Sequence, residues 1–151
     1  MHDVIPTSLR SDRLLLAVSF VCFGVAGPLG AVDALVPTVV ATAVAIAGVY
    51  CVARYASRVS RRTLASLSLA LWTVFLGVAS VHIVGLETVG AAVPGSAELV
   101  VYSLTATTWA TLLSASSVTA FLGFREYGAT SSADTPEDGV LEGETSDYST
   151  R

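Results

Sequence analysis

The chain has 151 residues, 53% of them hydrophobic and 13% charged, with a formal net charge of -4 and a mean hydropathy of +0.70. A soluble domain carries about 25% charged residues, and a domain of this size leaves much of its surface in water. So oily a composition excludes an ordinary water-soluble globule and makes the bilayer the solvent.

Residues 1–13 form a polar N-terminal segment that carries Arg10 and Arg13. The first uncharged run follows at 14–32, "LLLAVSFVCFGVAGPLGAV". Gly27-Pro28 inside it predicts a kink or an early end. The run is long, and Leu29 stands where a leader's cleavage site needs a small residue, so it reads as a retained helix. The second run is 34–53, with Asp33 before it and Pro37 in its first turn. The third is 64–86, where Thr63 is placed to cap. The fourth is 99–124, entered through "PGSAE" with a Ser96 cap and the Glu98 carboxylate at the positive helix end.

A spanning helix needs about 20 predominantly apolar residues, and all four runs supply them. None alternates with period two, which argues against lipid-spanning strands. The expected fold is therefore all-α, a four-helix transmembrane bundle over 14–124. "VCFGVA" at 21–26 and "VFLGVA" at 74–79 point to two tandem helical hairpins. Residues 125–151 hold seven of the twelve acids and little apolar surface, so a disordered acidic tail is expected there.

The arginines set the threading. Arg54, Arg58, Arg61 and Arg62 crowd the connection between runs two and three. Arg10 and Arg13 precede run one, and Arg125 follows run four. The connections around Asp33 and from Glu87 to Glu98 hold no base. Basic residues are retained on the cytoplasmic side. One topology satisfies all of them: both termini and the 54–62 loop inside, the acid-bearing loops outside. Arg54, Arg58, Arg61 and Arg62 are also placed to meet anionic headgroups.

Candidate chemistry is sparse. His82 is the one histidine in an apolar run, and an ionisable group there is a functional candidate. The second histidine, His2, lies at the opposite end, so a haem held by two histidines of one chain is not expected. Asp33, Glu87 and Glu98 gather at the outer face and, with His82, offer a cation or proton site. Run four is rich in hydroxyls, and Ser103, Thr107, Thr111 and Ser114 share a face. Ala106, Ala110 and Ser114 in run four, and Ala43, Ala47 and Cys51 in run two, form small-residue lines suited to helix packing. Trp72 and Trp109 sit well inside their runs and are expected to pack between helices. Cys22 and Cys51 differ in depth by about 9 Å in an antiparallel pair, too far for a disulfide. No zinc spacing, Walker loop, GxSxG or HExxH occurs.

No Lys, Asn or Gln occurs anywhere, and the polar tail is acidic. In layout and composition the chain resembles the small uncharacterised multi-pass membrane proteins of halophilic archaea. That resemblance rests on no diagnostic motif and carries over no functional residue. The expected protein is a multi-pass integral membrane protein of the cell membrane, a non-enzymatic component or accessory subunit, with no cofactor, no metal and no nucleic-acid partner. Its partners are the lipid bilayer and either a membrane protein or further copies of itself. The alternative is a small homo-oligomeric transporter or channel; a membrane redox subunit rests on His82 alone.

Overall fold

The computed structural model describes residues 7–85, 88, 91–92 and 96–133. Among them there is no strand. Four long helices stand among the described residues: α1 (Thr7–Gly30), α2 (Leu35–Ala56), α3 (Arg61–Val84) and α4 (Ala97–Ala133). Each contains a stretch long and apolar enough to cross a membrane: Ser11–Gly30, Leu35–Ala56, Arg61–Val84 and Ala97–Ala129.

The helix ends follow local chemistry, in places other than the sequence patterning indicates. Pro28 lies within α1, and the helix continues only two residues beyond it. A proline has no N–H and crowds the preceding turn, so an exit there costs little. At the start of α2 the capping position is Ala34, which makes no side-chain bond, so Asp33 does not cap. The cap of α3 is Ser60 rather than Thr63: the Ser60 hydroxyl accepts from the Thr63 N–H at 3.2 Å. The helix therefore starts at Arg61. It stops at Val84 because Gly85 adopts φ 96°, a left-handed conformation that side chains disfavour.

The largest difference is at the C-terminal end. Residues 125–133 continue α4 instead of opening a disordered tail. An existing helix adds residues without a new nucleation cost, and Arg61 of α3 pairs with Glu126 there. The remainder of the expected tail, 134–151, lies outside the described residues, as do residues 1–6.

α1 and α2 form an antiparallel hairpin. Arg58 meets Asp12 at one end, Phe23 covers Gly48 midway, and Gly30 faces Ala41 at the other end. α4 runs antiparallel to α1, with Gly24 against Ala106 and Ala110 and Gly27 against Trp109. α3 pairs with α4 in a second hairpin. α4 is thus the central helix, in contact with the other three, while α3 is peripheral and packs chiefly on α4.

The shared core joins Phe23, Val52, Ala56, Leu64, Leu71, Ala115 and Val118. Small residues dominate the close approaches, as membrane helices require, since lipid tails are as apolar as leucine and only tight packing distinguishes neighbour from lipid. The line in α4 behaves as the sequence indicates, because Ala106 and Ala110 meet Gly24. The line in α2 does not: Ala43 and Ala47 are exposed, and the packed face is Ala41, Gly48, Val52 and Ala56. Phe23, reaching over Gly48, selects that face. Cys22 and Cys51 are both free thiols.

Two hairpins are present, yet the matching hexapeptides do not pack alike. Phe23 is 1% exposed, whereas its counterpart Leu76 is 64% exposed. Gly24 touches α4, but the equivalent Gly77 has open space around it.

Candidate functional site

The antiparallel pairing brings the arginine-bearing ends together. Arg58 donates to Asp12 at 3.3 Å and to the Ser11 hydroxyl at 3.4 Å. Arg61 pairs with Glu126. These pairs are largely exposed, and such pairs contribute about 0–1 kcal/mol each. Arg125 is different. It is half-buried, and its guanidinium donates to the carbonyls of Ala56 at 3.0 Å and Val59 at 2.8 Å. It closes the C-terminus of α2 and the turn into α3, where backbone oxygens lack intrahelical partners. The side chains of Arg54 and Arg62 are exposed and make no hydrogen bond or ion pair among the described residues.

Arg61 and Arg62 occupy the first two positions of α3, which has no acid in its first turn. Cations there oppose the helix dipole. Helix stability therefore does not account for their placement. Of the four arginines that sequence offers to headgroups, Arg58 and Arg61 are engaged within the chain, and Arg54 and Arg62 are not.

At the opposite end, His82 lies in the last turn of α3 and is exposed. Its Nε2 lies 2.9 Å from the Thr108 hydroxyl of α4. That hydroxyl has one proton, which it donates to the Leu104 carbonyl at 2.8 Å. With its proton so used it accepts from His82, which places a proton on Nε2.

The two described acids at this end, Asp33 and Glu98, do not join this pair. Glu98 lies ten residues before Thr108 along α4, roughly 15 Å away at the helical rise. Asp33 is exposed in the α1–α2 connection and makes no bond among the described residues. Glu87 lies outside the described residues. No group of three His, Cys, Asp or Glu side chains is assembled among the described residues. The helix-start position of Glu98 separates it from His82, because α4 overhangs the end of α3.

The hydroxyl face of α4 is likewise divided. Ser103 is exposed and returns its proton to the Val100 carbonyl. Thr107 bonds the Ser103 carbonyl. Thr111 and Ser114 are buried, and Thr111 bonds carbonyls of its own helix. The Ser114 hydroxyl is buried with no partner.

The polar contact that sequence patterning missed is centred on Thr119. Its hydroxyl donates to the Ala115 carbonyl at 2.7 Å. It then accepts from Ser68 at 2.7 Å and from Trp72 Nε1 at 3.1 Å. Ser68 and Trp72 are one turn apart on α3, so both donors converge on one oxygen. The available signal was a serine and a tryptophan at i, i+4 spacing in an apolar run. Trp72 also packs edge-on against Phe75.

Thr119→Val should loosen α3 from α4 at a cost of about 1 kcal/mol, in the range of interhelical hydrogen bonds in membranes. Thr119→Ser, which keeps the acceptor, should be nearly silent. Thermal unfolding in detergent measures the difference; equal midpoints for the valine and serine variants would remove this contact from the account.

The chain matches no family model, and no curated protein or solved structure shows significant similarity to it.

Proposed function

We propose that the chain is a non-enzymatic, multi-pass subunit of the cell membrane that works by lateral contact with another membrane protein. The observation that carries this reading is the outward face of α3. Ser66, Ala70, Thr73, Gly77 and Ser80 recur there at spacings of four and three, and all are exposed. α3 is covered on one side by α4 and, among the described residues, makes little contact with the other two helices. Small residues in such a seam let a further helix approach closely, whereas a face that meets only lipid gains nothing from them. The hydroxyls on the seam bond their own helix, Thr73 to the Leu69 carbonyl and Ser80 to the Gly77 carbonyl, so the surface presents no unpaired donor.

In this reading the arginine end, with both termini, faces the cytoplasm. The lysine-free, acidic polar segments fit a salt-adapted archaeal cell, where high ionic strength screens their repulsion. A channel lined by the α4 hydroxyls draws less support, because Thr111 and Ser114 are enclosed within a single bundle.

A photoreactive residue at Gly77, in native membranes, tests the contact. It should yield a protein adduct that the same probe at Ile46, an exposed position on α2, does not. An adduct of twice the chain's mass would replace the partner with a second copy. Lipid adducts alone at both positions would overturn the reading.

A further inference from the structure

α1 has a second lipid-facing feature, at the arginine end. Positions 13, 16, 17, 20 and 21 share one side by helical spacing. With Tyr55 of α2 they line an open groove of about 480 Å³. From Arg13 to Val21 the groove runs eight residues, roughly 12 Å along the helix. Its walls are Leu16, Ala17, Phe20 and Val21, and its polar residues are Arg13 and Tyr55.

The Asp12 carboxylate acts on the Tyr55 hydroxyl through space, but neither polar group is bonded. Arg13 is exposed and Tyr55 half-buried, and neither side chain makes a hydrogen bond or ion pair among the described residues. The adjacent acid, Asp12, is already paired with Arg58, so it leaves Arg13 uncompensated. Arg54, next to Tyr55 in the chain, adds positive charge at the same end.

We propose that this groove holds a phosphate-bearing anionic lipid. Its phosphate sits on the Arg13 guanidinium and the Tyr55 hydroxyl, and one acyl chain lies along Leu16, Ala17, Phe20 and Val21. Charge complementarity selects the occupant. A guanidinium presents a fork of donors that suits a phosphate, and it stands at the inner end of an apolar channel that continues toward the middle of the span. A free anion would match the cation and leave the apolar length unused. A partner helix would want small residues, as on α3, rather than walls of leucine, phenylalanine and valine. The site depends on α1 and α2 crossing the bilayer and not on the contact assigned to α3.

Native mass spectrometry of the full chain in non-ionic detergent tests it, with dioleoyl phosphatidylglycerol or dioleoyl phosphatidylcholine added at equal concentration. The anionic lipid should be retained in preference. Arg13→Ala should lower its occupancy about fivefold, the effect of one basic residue at a membrane surface. Tyr55→Phe should lower it less. Ala17→Trp should displace the lipid with every charge intact. Arg62→Ala, which removes an exposed arginine that can meet headgroups only from outside the groove, should lower occupancy by far less than Arg13→Ala.

Four results would overturn the assignment. Equal retention of the two lipids removes headgroup recognition. Equal losses from Arg13→Ala and Arg62→Ala mark diffuse attraction with no site. Displacement by millimolar inorganic phosphate marks a free-anion site. Undiminished binding by Ala17→Trp removes the acyl cradle.

Discussion

Alanine at position 27 is expected to lower the stability of the bundle by about 3 kcal/mol, the upper end of the usual cost of overpacking. A methyl group there would overlap Cβ and Cγ of Trp109. The Cβ is bonded directly to the backbone of α4 and cannot swing aside; rotation of the side chain moves only Cγ and the ring beyond it. The helices themselves must separate, and with them the contact of Gly24 with Ala106 and Ala110.

Position 48 offers a graded comparison. A methyl there would come within 2.7 Å of Phe23 Cε1, at the far edge of a ring that can tilt. Gly48→Ala should therefore cost less, about 1 kcal/mol. At Gly77 the space is open, and Gly77→Ala should leave the isolated chain's stability unchanged or slightly raised. Thermal unfolding in detergent should rank the three in that order. Trp109→Gly, which removes the Cβ as well as the ring, should relieve Gly27→Ala more than it relieves Gly48→Ala, a coupling that a double-mutant cycle reads directly. If Gly27→Ala melts with Gly77→Ala, the close approach of α1 to α4 is not what holds the bundle.

Arg125→Met should destabilise the chain by about 2 kcal/mol. It removes a charged donor from two carbonyls, and hydrogen bonds to charged groups contribute roughly 1.5–3 kcal/mol. Both acceptors stand where α2 has ended, so no helical N–H replaces the guanidinium. Arg125→Lys separates two roles that arginine combines here. The ammonium retains the positive charge at this helix end, but it ends one bond short of the terminal guanidinium nitrogen. Orientation should survive and stability should recover only in part. Arg62→Met, with no partner to lose, should melt as the unaltered chain does. Identical melting of Arg125→Met and Arg62→Met would leave Arg125 as a topology signal and nothing more.

Arg125 illustrates what can be read from a one-dimensional chain. Its charge and its place after an apolar run are enough to put it at the same end as Arg54, Arg58, Arg61 and Arg62. Its bonds to Ala56 and Val59 join residues 69 and 66 positions away, and no local pattern encodes them. His82 is similar. Its depth near the end of α3 follows from counting residues, but its partner Thr108 follows from the stagger of α3 against α4. That same stagger separates Glu98 from His82, and counting from helix ends had placed them together.

Length and oiliness determined that there are four spanning helices, and charge placement determined which ends share a side. These are properties of each segment's transfer from water to hydrocarbon, and they depend on nothing but the segment. Which face of α2 turns inward, which helix is central, and where the polar contacts fall were decided only by tertiary packing. Inside a bilayer apolar residues appear on every face of these helices, so hydropathy alone cannot distinguish neighbour from lipid. Shape does, where Phe23 finds Gly48 and Trp109 finds Gly27.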